Sequence, residues 1–249
     1  MNIQTDAIVG NQGDYTSTDE FCLNGHQIVY LNTTERGVGR NRNLVLQHAA
    51  ADICILADDD MRFVDGYPQI AMKAFHQCPD ADILIFNLLE KQPKRFVNKK
   101  VQRIKWNNYA RYGAARLAVC PKKLRDAGIT FSELFGGGAI YGSGEDTIFL
   151  KECLDKGLRL YAVPFALAEM DQDAQSTWFH GYNKKFFYDK GALYCALYPR
   201  MKWVCCLRYI LKYRNNFAGQ YRMPDALKAM LEGAKSYEQQ KYEDEHIKE

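Results

Sequence analysis

The chain has 249 residues, 47% apolar and 25% charged, with 33 basic against 30 acidic side chains and a formal net charge of +3. That composition belongs to a folded globular protein and excludes disordered, collagenous and low-complexity chains. A surplus of three positive charges leaves no footprint for nucleic acid, and the apolar runs fall far short of the ~20 residues that cross a bilayer.

The opening Met1-Asn2-Ile3-Gln4-Thr5-Asp6 lacks the basic and apolar regions of a signal peptide. Asp6 to Gly10 reads as a short buried strand running into a polar loop, Asn11-Gln12-Gly13-Asp14, and Gln27 to Leu31 as a second strand. Arg40 to Ala50 has Leu44, Val45 and His48 at helical spacing. Asp52 to Ala57 is a third strand that stops at Asp58-Asp59-Asp60; Tyr67 to Gln77 is a helix with Pro68 in its first turn, and Ala81 to Leu88 is another strand. Continuous β-branched runs separated by helices imply a mostly parallel sheet covered by helices on both faces, an α/β fold.

Arg103 to Val119 is rich in Tyr, Trp, Asn and Arg and reads as irregular strands and loops. Phe131 to Gly144 is a glycine-rich loop that leads through Glu145-Asp146 into a helix, Thr147 to Lys156, with Gly157 as its stop signal. Leu158 to Leu167 is a strand that Pro164 assigns to a sheet edge. From about Tyr198 the chain is helical and charged, so residues 1–199 form the α/β domain and 200–249 a helical tail. The eight cysteines include no C-x-x-C pair and read as reduced, largely buried thiols; with no leader, they point to the cytoplasm.

Three segments carry chemistry. Three carboxylates directly after a buried strand raise one another's pKa, and a hard divalent cation relieves that; the bland reading is a solvated acidic turn. Gly37 and Gly39 with Arg36, Arg40 and Arg42 offer N–H groups and guanidinium forks to a diphosphate, or form an exposed basic helix cap. Glu145 and Asp146, after a glycine loop that closes on substrate, suit a general base, or else serve the helix dipole. Trp106 to Tyr109, Trp178 and Tyr182 offer faces to sugars or pack in a core.

In combination, R-N-R-N-L-V-L, D-I-C-I-L-A-D-D-D and G-S-G-E-D-T-I-F-L resemble glycosyltransferase family 2, the GT-A-fold nucleotide-sugar transferases. Ser176 to Leu193 is similar to bacterial members that build surface polysaccharides. The resemblance spans about Asp6 to Pro199, and the chain begins at what would be the family's second strand. It implies that Asp58 and Asp60 hold Mn²⁺ or Mg²⁺, and that Asp58, Asp59, Arg42 and Asn43 lie beside the nucleotide-sugar. It likewise implies that Asn11, Gln12 and Asp14 face the base of a UDP-sugar, and that Asp146, next to Glu145, is the base of an inverting transfer. The implied function is a hexosyltransferase acting on a glycan or glycolipid acceptor; the alternative is a non-catalytic carbohydrate-binding or scaffold relative, truncated at its nucleotide-binding edge.

The tail adds one expectation. Laid out at 100° per residue, Trp203, Val204, Leu207, Ile210 and Leu211 share a face, with Lys202, Arg208 and Lys212 roughly opposite. Such a helix either closes over a core or lies peripherally on an anionic membrane, here the inner membrane face.

Overall fold

The computed structural model describes residues 1–90, 95–170 and 181–246, with side chains to residue 243. Two compact units divide the chain: Met1–Glu133 with Glu145–Gln175, and Leu134–Gly144 with Ser176–Glu249.

The first unit holds two sheets. β1 (Ala7–Gln12) pairs in parallel with β3 (His26–Thr33), which pairs antiparallel with β2 (Ser17–Leu23). The second sheet runs β4 (Cys54–Ile55), β8 (Leu117–Val119), β6 (Ile83–Leu89), β9 (Leu160–Met170), β5 (Met61–Phe63), with β7 (Gln102–Arg103) also on β9. Of its pairings only β6 with β9 is parallel, so strand direction is mixed where a mostly parallel sheet was expected. β1 is half-buried along most of its length, not buried, because it stands at the edge of its sheet.

β6 shows why two cores form. Its side chains alternate: Ile83 and Ile85 enter one cluster with Leu117, Phe131, Phe149 and Leu150, while Leu84, Phe86 and Leu88 enter another with Tyr67, Ala71 and Ala74. A strand with both faces covered reads as an apolar run, and I-L-I-F-N-L-L is one apart from the buried Asn87, whose amide is satisfied by the Asn98 backbone. The helices on these faces are α1 (Val38–His48), α2 (Tyr67–Gln77), α3 (Pro121–Asp126) and α4 (Glu145–Asp155). α2 has the limits expected from sequence; α4 begins two residues earlier than expected, which puts Glu145 and Asp146 in its first turn.

β9 is not an edge strand. β6 lies on one side, and β7 and β5 on the other. Pro164 is accommodated because β7 pairs at Tyr161 and Ala162, β5 pairs only from Ala168, and the ladder to β6 is irregular between Ala162 and Ala166.

The second unit contains α5 (Lys184–Leu197), α6 (Lys202–Phe217) and α7 (Met223–His246). α5 and α7 pack closely enough that a side chain at Gly191 or Gly233 would meet the backbone of Met230 or Tyr188 within 2 Å. The boundary expected at residue 199 therefore falls inside this unit, since α5 belongs with the tail helices. Leu134–Gly144 of the glycine-rich loop belongs here too and is pinned: Tyr141 N–H donates to the Leu134 carbonyl at 2.9 Å, Phe135 stacks on Tyr141, and Gly142 N–H donates to Asp189. On α6, Ile210 turns inward with Cys206 and Phe217, and Lys202 is buried against Glu238, so neither lies on the face expected of it.

Among the described residues no helix is long and apolar enough to cross a membrane. The eight thiols are free; Cys78, Cys153, Cys195 and Cys206 are buried, Cys54, Cys120 and Cys205 half-buried, and Cys22 exposed.

Candidate functional site

Helix α1 positions the centre of the site. A Cβ at Gly39 would lie 2.2 Å from the Ser132 carbonyl oxygen, so only glycine lets the first turn of α1 meet that backbone. One turn on, Asn43 donates its Nδ2 to the Phe131 carbonyl (2.9 Å) and accepts the Phe131 N–H (2.7 Å). Gly39 and Asn43 thus fasten one face of α1 to the chain at 131–132. Asn43 was expected beside a nucleotide, and both its amide atoms are engaged by the Phe131 backbone.

That fastening leaves Arg42 projecting towards the strand end and α4. Its guanidinium donates to Asp58 (3.1 Å), Glu145 (3.2 Å) and Asp146 (2.8 Å). It lies over the Phe131 ring, which stacks at 4.0 Å on Phe149 of α4, so aromatic packing holds α1 and α4 in register. The Arg42 side chain is only 12% exposed. Burial lowers its pKa, and Asp146, Asp58 and Glu145 together outweigh burial and raise it.

Asp146 is the most perturbed carboxyl of this cluster. Burial pushes it up, Arg42 pulls it down, Glu145 and Asp58 push it up, and a backbone N–H from Ala114 favours the ionised form; the result is about 7. Gly113 makes room for this contact, since a Cβ there would lie 3.1 Å from Asp146 Oδ2. Sequence reading missed Gly113 and Ala114. The signal available was a glycine opening a short 3-10 turn (Ala114–Arg116), whose free N–H groups suit an anion.

In the D-D-D run, Asp58 is held by Arg42, and its N–H meets the Met61 sulfur. Burial, then Asp58 and Asp59, push the Asp60 carboxyl up, and its Oδ1 is buried without a hydrogen-bond partner. An orphaned carboxylate oxygen among acids fits a hard cation. Among the described residues no three His, Cys, Asp or Glu side chains gather as a complete metal cage. One or two carboxylates with phosphate oxygens are nevertheless an ordinary magnesium donor set.

Asn11 and Gln12, expected in a polar loop, are the last two residues of β1, paired with Asn32 and Thr33 of β3, and Asp14 follows them. Asn11 donates to Asn32 Oδ1, Gln12 donates to the Gly37 carbonyl, and Asp14 pairs with Arg36 at 2.9 Å on the surface. Of the aromatic candidates, Tyr109 is core and Tyr182 packs with Phe186 and Phe187, while Trp106 is 52% exposed beneath the Lys151 ammonium. Trp178 lies outside the described residues.

An α/β domain with carboxylates gathered at its strand and helix ends is the architecture of GT-A glycosyltransferases. The pattern of glycosyl transferase family 2 matches residues 8–132, a range that includes Arg42 and Asp58 to Asp60, and the chain belongs to that family. Solved structures of S. aureus TarS share its fold. TarS 1-349 in complex with UDP-GlcNAc aligns with a TM-score of 0.59 at 15% identity, over 84% of this chain and 65% of that one. TarS 1-349 in complex with UDP aligns at 0.56 and 14%, over 86% and 67%. This chain thus spans about two thirds of the TarS 1-349 length. No curated protein matches significantly.

Proposed function

We propose that the protein is a metal-dependent, inverting glycosyltransferase that moves a sugar from a UDP-sugar to a hydroxyl of a glycan or glycolipid acceptor in bacterial polysaccharide synthesis. The observation that carries this reading is the hold of Arg42 on both Asp58 and Asp146, which brings a donor-side carboxylate and a candidate base around one cation. The UDP-GlcNAc and UDP bound by the TarS structures support a uridine donor.

In this reading Asp58, Asp59 and the Asn11, Gln12 and Asp14 side chains at and just after the end of β1 orient the nucleotide-sugar. The Arg42 fork, already presented at the cluster, meets the diphosphate. A divalent cation held by Asp58 and Asp60 would stabilise negative charge on the departing UDP as a Lewis acid. Asp146 accepts the proton of the acceptor hydroxyl as that oxygen attacks the anomeric carbon from the face opposite UDP. The new carbon–oxygen bond forms as the bond to the phosphate oxygen breaks, with inversion. A carboxyl held near 7 suits this step, because an ionised fraction is present at neutral pH and that fraction is more basic than an ordinary carboxylate. Glu145, paired with the same Arg42 nitrogen, helps hold that guanidinium in place.

UDP release from a panel of UDP-sugars, with Mn²⁺ or Mg²⁺ and with chelator, across an acceptor panel, tests the reading. Asp60→Ala is expected to lose metal-dependent UDP-sugar binding while its circular dichroism stays unchanged. A folded variant with unaltered Mn²⁺-dependent binding removes Asp60 from the site. Sugar binding without UDP release from any donor would make the protein a non-catalytic carbohydrate-binding relative.

A further inference from the structure

Helix α6 carries two apolar faces. Cys206, Ile210 and Phe217 pack into the core of the helical unit and are at most 2% exposed. Trp203, Val204, Leu207 and Leu211 form a separate arc at 100° per residue. They are 42%, 60%, 49% and 51% exposed, far above what a packed face shows. The stripe runs about 12 Å along the helix. Arg208 and Lys212 border it at exposed positions, and Arg214 is exposed a turn further on.

Charge here has one sign. From Lys190 to Arg222 the chain has seven basic residues and no acidic one. The carboxylate that Glu238 of α7 offers to α6 is taken by Lys202 on the covered side.

We propose that this face of α6 docks on the surface of an anionic lipid bilayer. Trp203, Val204, Leu207 and Leu211 enter the boundary between headgroups and acyl chains, and Arg208, Lys212 and Arg214 stay level with the lipid phosphates. The charge selects the occupant. Pairing this face with a second copy across a twofold axis would bring the same cations together without compensating acids, whereas anionic headgroups meet them. Lys and Arg stems also let the charged heads reach the phosphates while the apolar stripe sinks. Tryptophan suits the boundary because its ring is apolar and its N–H stays hydrated.

The test is co-sedimentation of the full chain with vesicles of phosphatidylcholine alone or mixed with phosphatidylglycerol. The protein is expected to pellet with the mixed vesicles, to stay in the supernatant with the neutral ones, and to be released by high salt. Arg208→Gln with Lys212→Gln should weaken the attachment roughly thirty-fold, from two lost surface cations. Leu207→Glu with Leu211→Glu should abolish it with an unchanged circular dichroism spectrum, since both positions are exposed. Equal pelleting with both vesicle types, pelleting with neither, or unchanged binding of both double variants overturns the proposal. So does a concentration-dependent dimer that the Leu207→Glu, Leu211→Glu variant loses, which would assign the face to a second copy.

Discussion

Arg36, just before α1, and Arg42, within it, each face carboxylates, but in different surroundings. The pair of Arg36 with Asp14 is open to water, the two side chains 54% and 98% exposed. Arg42 is 12% exposed, Glu145 10% and Asp146 26%. Water screens the first pair, so its charges are nearly indifferent to one another. In the second, each carboxylate depends on the guanidinium for the solvation it has lost. Similar residues therefore make a surface clasp in one place and, in the other, a buried cluster with a carboxyl pushed up to about 7.

The sharpest way to break this comparison is Asp146→Asn. Transfer should fall by about 10²-fold or more while donor binding persists, as expected for loss of a general base. Unaltered turnover would reduce Asp146 to a residue that serves the start of α4. In the unmodified enzyme, activity should climb as pH rises through about 7 and then level, because the base works only when ionised. The folded carboxyl binds its proton more tightly than the unfolded one, so its contribution to stability is present below the ordinary carboxylate range and is lost as pH rises towards 7.

Arg42→Gln comes next. It leaves Glu145, Asp146 and Asp58 without their shared cation, at a cost of about 2 kcal/mol once the partial exposure of Asp58 and Asp146 is discounted. The loss in melting temperature should be larger at pH 8 than at pH 5, where Asp146 is protonated, and the rising limb of the activity profile should move to higher pH. The smallest effect belongs to Arg36→Ala, which should leave the melting temperature unchanged at physiological salt. A drop comparable to that of Arg42→Gln would erase the distinction between the two arginines.

Sequence made the local parts of this site legible and hid what joins them. D-D-D at the end of an apolar run and E-D at a helix start are each readable within a few residues. That Arg42 binds both is not, because its partners come from segments that only the fold brings near. Asn43 was read by motif, and its two hydrogen bonds to the Phe131 backbone are announced by no local pattern. β2 went unrecognised because S-T-D-E-F-C-L is exposed along nearly its whole length and shows no apolar alternation. Its turn did carry a signal: Asn24 and Gly25 both have positive φ, the Asn-Gly pair that a two-residue hairpin favours. The expected edge position of β9 failed because proline excludes a hydrogen bond at one residue only, and the neighbouring strands leave that residue unpaired.

The pairing of Ile83 in β6 with Leu160 in β9 also sets a schedule for the growing chain. Both hydrophobic cores of the first unit are built on β6, yet its parallel neighbour is synthesised only after the pinned loop and α4 have followed it. Until β9 leaves the ribosome, I-L-I-F-N-L-L is an apolar segment with one ladder open, and closing it requires a long-range contact. Folding of the first unit should therefore be late and cooperative, and chains stalled before residue 160 should be ready substrates for chaperones.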